Sequence, residues 1–449
     1  MSLNNIDKSK LVLVNEDDVV ISDVALETKE IGYYQDAWNR FKKNPVSLVA
    51  FVIICILFFF VLVGPYMKVY TKPANPADSS KIGYLPPKVP FLEKLGFMDG
   101  SKTIKKGKNF LLTLYNSPFG EGIILSGMPE ELIDNDPSND YLYDEVYELE
   151  VKVDMYKYVN YITSYLDESN TDTSVKKIFS KEQFEAALAD NLIIDIISVS
   201  PDGNTYTVRV DFFKYALNQT PEDTYFWFGT DRDGRDLFTL LWDGARISLI
   251  MAISVVIINA IVGLTIGAIA GYYGGTFDLL FDRFVEILGG IPFMAVLTLL
   301  IIRFGSAMGV IIFAFTITGW MGSYSMARMQ FYRFKNREYI LAARTLAASD
   351  SRIMFKHIFP NALGYMVTSF ALAIPSFVFT EASYAYLGII NYSNAISVGM
   401  LLEQGQQVMG TDPHMLIFPS FYIAILMITF NLFGNGLRDA FNPSLRGTE

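Results

Sequence analysis

The chain has 449 residues, 51% of them hydrophobic and 18% charged, with a formal net charge of -11. That balance excludes a disordered chain and a single soluble core, and it suits a membrane protein carrying a sizeable soluble portion. The acidic charge gives no footing for a nucleic-acid partner, and a lone cysteine, Cys55, excludes an internal disulfide.

Residues 1–45 begin with a polar, mostly acidic stretch up to Asp36 that lacks a secretory signal pattern, so the first apolar run is expected to stay as an anchor. Apolar runs long enough to cross a hydrocarbon layer, roughly 18 residues or more, occupy 46–63, 247–270, 284–302, 308–326, 363–380 and 415–433. Cys55 sits in the first of these about six spans as a small apolar filler.

Between the first two runs lies a long polar insert. Residues 65–90 are rich in Pro, Lys and Gly and read as an irregular connection. The stretch GSKTIKKGK at 100–108 resembles a phosphate loop but lacks its spacing, so a solvated basic loop is the reading. The acidic positions Asp134, Asp136, Asp140, Asp144, Glu145, Glu148 and Glu150 form a solvated face without calcium-loop spacing. Residues 147–158 and 206–212 alternate as strands, and Pro201-Asp202-Gly203-Asn204 is a turn joining the latter to 192–199. Ser180 with Gln183 makes a capping box for a helix through Phe184, Ala187 and Leu188. A small α+β domain follows from these signals, large enough to bury its own core.

Next comes WFGTDRDGRDLFTLLWDGARISLIMA at 227–252. Gly229 and Gly234, set among Thr230, Asp231, Asp233 and Asp236, predict a tight turn before a helix, with Arg235 and Arg246 paired to the carboxylates. Further on, Gly263, Gly267 and Gly271 form a small-residue stripe for close helix approach. Asp282 and Glu286 share a helix face, with Arg283 between them, in a pairing role. Pro292 and Pro375 are candidate kinks. Glu381, near the outer end of the fifth span, is the acidic residue placed closest to a substrate route.

The most informative segment is REYILAARTLAASDSRIMFKHIFPN at 337–361. Tyr339, Ala342, Ala343 and Leu346 recur at helical spacing, so one face of a short helix is small and apolar while Arg344 points elsewhere. No breaker interrupts Thr345 to Ala348, so this helix is expected to run through Ala347. Ser349 or Asp350 then caps a second helix bearing Ile353, Met354, His357 and Ile358, which stops at Pro360. Arg40, Lys42 and Lys43 precede the first span, and Arg328, Arg333, Lys335, Arg337, Arg344, Arg352 and Lys356 fill the loop after the fourth. Basic residues gather on cytosolic loops, so both segments and both chain ends are expected inside and the insert outside. Losing one middle span would put the basic loop on the wrong side. The division is then a cytoplasmic segment 1–45, a first helix 46–63, an extracellular insert 64–226, a core of helices at 227–437 with the loop 328–361, and a cytoplasmic tail 438–449.

The segment 337–361 resembles the EAA loop of bacterial ABC importer permeases. The motifs FGTD, GRD, GARISL, IPFMAVL, TGWMGSYSMAR, AARTLAASD, HIFPNALG, EASYAYLG and GNGLRDAFNPSLR, in this order, resemble the C-type permease of the oligopeptide, dipeptide and nickel importer family. The likeness covers the first span and 227–446 but not the insert. It implies an all-α polytopic membrane protein of the type I importer permease fold, here carrying a small extracellular α+β domain, in the bacterial plasma membrane. It further implies that Glu338, Ala342, Ala343, Arg344, Ala347, Ser349, Asp350, Ile353, His357, Pro360 and Asn361 belong to a loop that docks on an ATPase subunit. Gly229, Thr230, Asp231, Gly234, Arg235, Asp236, Gly244 and Arg246 belong to the second motif. The implied partners are a second, homologous permease, two ATP-binding subunits, an external substrate-binding protein, a peptide substrate and the lipid bilayer. ATP and Mg would sit on the ATPase subunits, with no cofactor, metal or catalytic residue on this chain; neither His357 nor His414 lies in a metal-binding pattern. Two positions depart from the family pattern, which has glutamate where Leu341 stands and glycine where Ala347 stands. A receptor or assembly protein that binds a partner through its external domain, and an importer of dipeptides or nickel chelates, are the alternative readings.

Overall fold

The computed structural model describes residues 33–67, 76–117, 120–129, 148–165 and 176–441. The acidic positions Asp134, Asp136, Asp140, Asp144 and Glu145, residues 68–75 of the irregular connection, and both chain ends lie outside the described residues.

Helix α1 (Tyr33–Lys43), at the end of the polar segment 1–45, buries Ala37 and Phe41. Phe41 meets Phe433 edge-on at 5.6 Å, so α1 lies along the last helix of the chain. Asn44 caps α2 (Pro45–Val63) by accepting from the Val46 and Ser47 N–H groups, and Pro45 opens it where no amide is missed. Cys55 stands on the exposed side of α2 rather than filling a gap.

The insert begins with the short α3 (Pro76–Ser79) and then forms two units of the same design. In the first, β1 (Ser101–Gly107), α4 (Lys108–Asn116), β2 (Ile124–Ser126), β3 (Glu148–Asp154) and α5 (Met155–Ser164) make an antiparallel sheet of order β1-β3-β2. In the second, β4 (Lys176–Ser180), α6 (Lys181–Ala189), β5 (Ile193–Val199), β6 (Thr205–Val210) and α7 (Phe212–Leu217) make an antiparallel sheet of order β4-β6-β5. The third strand is central in each. Val151-Lys152-Val153-Asp154 with Lys157-Tyr158 recurs as Val208-Arg209-Val210-Asp211 with Lys214-Tyr215. In both copies the two valines are fully buried and the aspartate caps the following helix. The insert is therefore an internal duplication. The strands expected over 147–158 and 206–212 end earlier than predicted, because Asp154 and Asp211 accept backbone N–H groups and turn the chain into helix. The capping box of Ser180 with Gln183 and the turn at 201–204 are present.

The irregular connection is built into this domain. Ile82, Leu85 and Phe226 share a core with Tyr156, Val208, Val210 and Phe213. Lys102 of β1 pairs with Asp412 at 2.6 Å, which ties the first unit to the loop before the last helix.

The bundle continues with α8 (Leu237–Tyr273), α9 (Gly275–Gly289), α10 (Phe293–Phe304), α11 (Met308–Phe334), α12 (Glu338–Thr345), α13 (Asp350–Arg352), α14 (Phe359–Tyr386), α15 (Val398–Gln407) and α16 (His414–Phe441). Among the described residues, five helices are long and apolar enough to span a bilayer, and six elements are if α9 and α10 count as one span. The third predicted span is thus corrected: it is two helices bent by 70°, with Pro292 capping the second. Proline cannot donate at this position and favours extended backbone before it, which places the break. Helix α8 extends beyond the predicted 247–270, and its 37 residues reach about 55 Å, well past a hydrocarbon layer of about 30 Å.

Gly263, Gly267 and Gly271 seat α8 on α11. A methyl group at these positions would lie 2.5 Å from the Trp320 carbonyl, 2.3 Å from that of Tyr324 and 2.4 Å from that of Arg328. Both series ascend together, so the helices are parallel. The chain between two parallel helices must return to its starting side, and α9 with α10 makes that return.

Candidate functional site

Two ends of α8 gather the residues singled out by sequence. At its start, Gly229 and Gly234 adopt φ of 80° and 68°, the left-handed region open to glycine. A Cβ on Gly234 would fall 1.9 Å from the Ser79 carbonyl. The Thr230 hydroxyl donates to the Ile82 carbonyl at 2.6 Å and accepts the Leu85 N–H at 2.8 Å. Asp231 is fully buried; it accepts the N–H groups of Asp233 and Arg235 and pairs with the Arg235 guanidinium at 2.6 Å. Asp236 caps α8 by accepting from the Phe238 and Thr239 amides. Gly244 lets α8 touch the start of α15, where a Cβ would sit 3.0 Å from the Val398 nitrogen. Arg246 does not join this turn, contrary to expectation. It lies more than two helical turns further on and pairs with Asp243 at 2.9 Å.

At the far end of α8, α12, α13 and the turn of helix at Ile353–Ile358 make a ledge. Ile340, Ile353, Met354 and Ile358 are buried together with Tyr272, Ala327 and Phe331. Tyr339, Leu341, Leu346 and Phe355 remain exposed, Leu346 at 84%. Glu338 and Ala342 are also exposed, and Ala343 is half-buried. The helix expected to continue through Ala347 instead stops at Thr345, and Ala347 takes φ of 57°. The Ala347 amide donates to Arg344 and the Ala348 amide to Ala343, the hydrogen-bond pair of a Schellman stop. Ser349 then caps α13 by accepting the Arg352 amide.

The second helix of the ledge does not end at Pro360. Residues Ile353–Ile358 form a π-helical turn, the Phe359 amide reaches back to Met354, and α14 follows directly with Pro360 in its first turn. The wider turn moves the preceding carbonyls away from the proline ring, so the missing N–H and the steric clash are both accommodated. Asn361 donates to the half-buried His357 through its backbone carbonyl at 2.7 Å. Partial burial raises the Tyr339 phenol above its ordinary range, against the pull of Arg337 and a hydrogen bond with Asn361.

Sequence reasoning missed Tyr272, in the last turn of α8. Its hydroxyl donates to Asp350 Oδ1 at 2.5 Å, and the Arg344 guanidinium lies 5.7 Å from its ring centroid. Arg344 thus faces α8. Lys335 Nζ donates to the Tyr272 carbonyl at 3.4 Å. Nearby, Arg328 of α11 pairs with Asp278 at 2.5 Å and Asp282 at 3.2 Å, whereas Glu286 pairs with Arg283 on the surface. The i, i+4 spacing of Asp278 and Asp282 was the available signal for the first pair.

Glu381 is fully buried. It accepts from Ser248 at 2.9 Å and from the Tyr392 hydroxyl at 3.1 Å, so it joins α14 to α8 and to the loop before α15. An apolar cleft of about 630 Å³ opens beside it between α14, α15 and α16, with Phe379, Tyr386, Leu402, Leu416 and Met427 on its walls. The Glu381 neighbours Ala382 and Ser383 line that cleft; Glu381 turns away from it.

Residues 263–447 match the family model described as binding-protein-dependent transport system inner membrane component. Residues 32–87 match that of the N-terminal TM domain of oligopeptide transport permease C. Neither reaches across the duplicated insert. The dipeptide transport system permease protein DppC of Bacillus subtilis is 38% identical over 227 residues, 50% of this chain and 71% of that one. The oligopeptide transport system permease protein OppC of the same organism is 39% identical over 226 residues, 50% of this chain and 74% of that one. A chain of the inward-facing MetNI methionine ABC transporter aligns at 18% identity with a TM-score of 0.36, over 44% of this chain and 94% of that one. That last likeness is too slight to carry an argument.

Proposed function

This chain belongs to the binding-protein-dependent transport system inner membrane components of the oligopeptide and dipeptide permease C type, and on that premise we propose that it forms half of a peptide-conducting path driven by separate ATPase subunits. One observation carries the reading: the ledge of α12 and α13 leaves Leu341, Leu346 and Phe355 uncovered while its other face is packed into α8, α11 and α14. An ATPase subunit seated on that apolar surface would be fastened to the transmembrane helices. ATP and Mg then belong to the two ATPase subunits, and a second, homologous permease completes the path. The apolar cleft between α14, α15 and α16 is a surface for that permease or for the passing peptide.

Orientation follows from charge. Arg328, Arg333, Lys335, Arg337, Arg344, Arg352 and Lys356 favour a cytosolic ledge. The return made by α9 and α10 supports the insert on the opposite, external side. There it would help capture a substrate-binding protein. If residues 100–220 are replaced by a flexible linker, uptake should fall while the ATPase subunits stay attached; unchanged uptake removes the capture role.

The test of the main reading is affinity purification of the chain, followed by ATP hydrolysis measured in lipid with and without peptide. Recovery of a homologous permease and two ATPases, with peptide-stimulated hydrolysis, is expected. A self-associating chain without ATPase partners would overturn it.

A further inference from the structure

The ledge is joined to the bundle in two physically different ways. Most of the contact is apolar packing by Ile340, Ile353, Met354 and Ile358. Such contact is non-directional and scales with the apolar area removed from water. Tyr272 is different. Three segments of the ledge region converge on this one residue: the end of α12 through Arg344, the start of α13 through Asp350, and the turn after α11 through Lys335. Its hydroxyl donates to Asp350 while the Arg344 guanidinium lies over its ring, so the side chain is engaged by both halves of the ledge. A hydrogen bond weakens steeply with distance and angle, which gives this junction a direction that the packing around it lacks.

The position of Tyr272 sets what it can move. It follows Gly271, whose missing side chain lets α8 rest on the Arg328 carbonyl of α11. Arg328 in turn is paired to Asp278 and Asp282 of α9. A force applied at Asp350 therefore enters α8 and α11 together, as one parallel pair, and reaches α9 through the ion pairs. Ala347, in its left-handed turn between α12 and α13, allows the two halves of the ledge to stay separate elements bridged by this phenol.

We propose that Tyr272 is the positioning residue through which displacement of the ledge by the ATPase subunits is passed to the transmembrane helices, its hydroxyl bond to Asp350 being the directional link. The inference rests on the permease reading. The test uses the assembled transporter in vesicles, with uptake of a transported peptide and ATP hydrolysis measured on the same sample. Tyr272→Phe keeps the ring and its packing. It should retain the ATPase subunits and basal hydrolysis of the parent, while peptide moved per ATP falls roughly ten-fold, the scale set by losing one hydrogen bond to a charged group. Asp350→Ala should show the same fall in peptide moved per ATP, Asp350→Asn should preserve most of that ratio because an acceptor oxygen remains, and the double variant Tyr272→Phe with Asp350→Ala should lower the ratio no further than either alone. Unchanged coupling in Tyr272→Phe, additive losses in the double variant, or a loss of ATPase attachment equal to the loss of uptake would each overturn the role. A parent chain that retains no ATPase subunits would sink the permease reading itself, a result distinct from a firm complex indifferent to Tyr272.

Discussion

Helix α8 is held at its two ends by opposite means. At the start, a left-handed glycine turn, a fully buried Asp231 and the two-sided hydroxyl of Thr230 lock the helix onto residues 79–85 of the insert, and these polar groups are satisfied inside the fold. At the end, buried packing of Ile340, Ile353, Met354 and Ile358 and a single short hydroxyl bond connect α8 to the ledge, whose outer face keeps exposed apolar side chains and a non-glycine residue in a left-handed turn. A clamp that satisfies every buried polar group resists displacement, because each broken contact strands a desolvated partner. A ledge with uncovered apolar surface gains its contacts from outside. The first end should therefore fail by unfolding, and the second, on the function proposed above, by releasing the ATPase subunit.

Asp231→Ala tests the clamp and should have the largest effect. It removes one of the two carboxylates paired with Arg235 and strands two backbone amides, which cost about 1–3 kcal/mol each when left without an acceptor. The measurement is denaturant or thermal unfolding of the purified protein in detergent; a loss below about 1 kcal/mol, the scale of an exposed pair, would remove the contrast between the ends. Gly267→Ala probes the seam between them. The added methyl would overlap the Tyr324 carbonyl of α11, and overpacking of this kind costs about 1–3 kcal/mol. Wild-type unfolding behaviour in that variant would mean that α8 and α11 can separate freely.

Leu346→Ser addresses the ledge. Because Leu346 is 84% exposed, the isolated chain should change stability by less than about 0.5 kcal/mol. Retention of the ATPase subunits should drop roughly ten-fold if this side chain anchors the contact. Equal retention by parent and variant would move the docking surface elsewhere.

The parts of this arrangement that sequence disclosed are those whose physics is local. Ser180 and Gln183 lie within one helical turn, the turn at 201–204 carries its own backbone preferences, and the glycines at 263, 267 and 271 repeat at helical spacing. The strands before Asp154 and Asp211 were overrun because apolar alternation continues past both caps, through Met155, Tyr156 and Tyr158 in one copy. Comparing the two copies would have marked both caps, since the same aspartate closes the same valine pair. Tyr272 could not be found this way, as its partner Asp350 is distant in sequence and meets it only through folding. The π-helical turn before Pro360 has no propensity signature of its own; it resolves a conflict between a proline and a helix that packing keeps continuous.

Ala347 is the finest test of the ledge. The loop that 337–361 resembles has glycine at this position, and the chain keeps the turn that glycine would favour. For an L-residue the left-handed region brings Cβ against its own backbone, at about 1–2 kcal/mol. Ala347→Gly removes that strain but frees the unfolded chain, which offsets about 0.4–1 kcal/mol of the gain. The net expectation is a small stabilisation, on the order of 1 kcal/mol or less. It should be local, so hydrogen exchange at the Ala348 amide, which closes the Schellman stop on the Ala343 carbonyl, is the sensitive readout and should slow. A continued helix predicts the reverse, because glycine in a helix interior costs about 1 kcal/mol relative to alanine. Faster exchange at that amide, together with weaker retention of the ATPase subunits, would reject the left-handed turn and restore an unbroken α12. Slower exchange with firmer retention would show that the ledge is held in the shape its partner takes, at an energy alanine leaves slightly unfavourable.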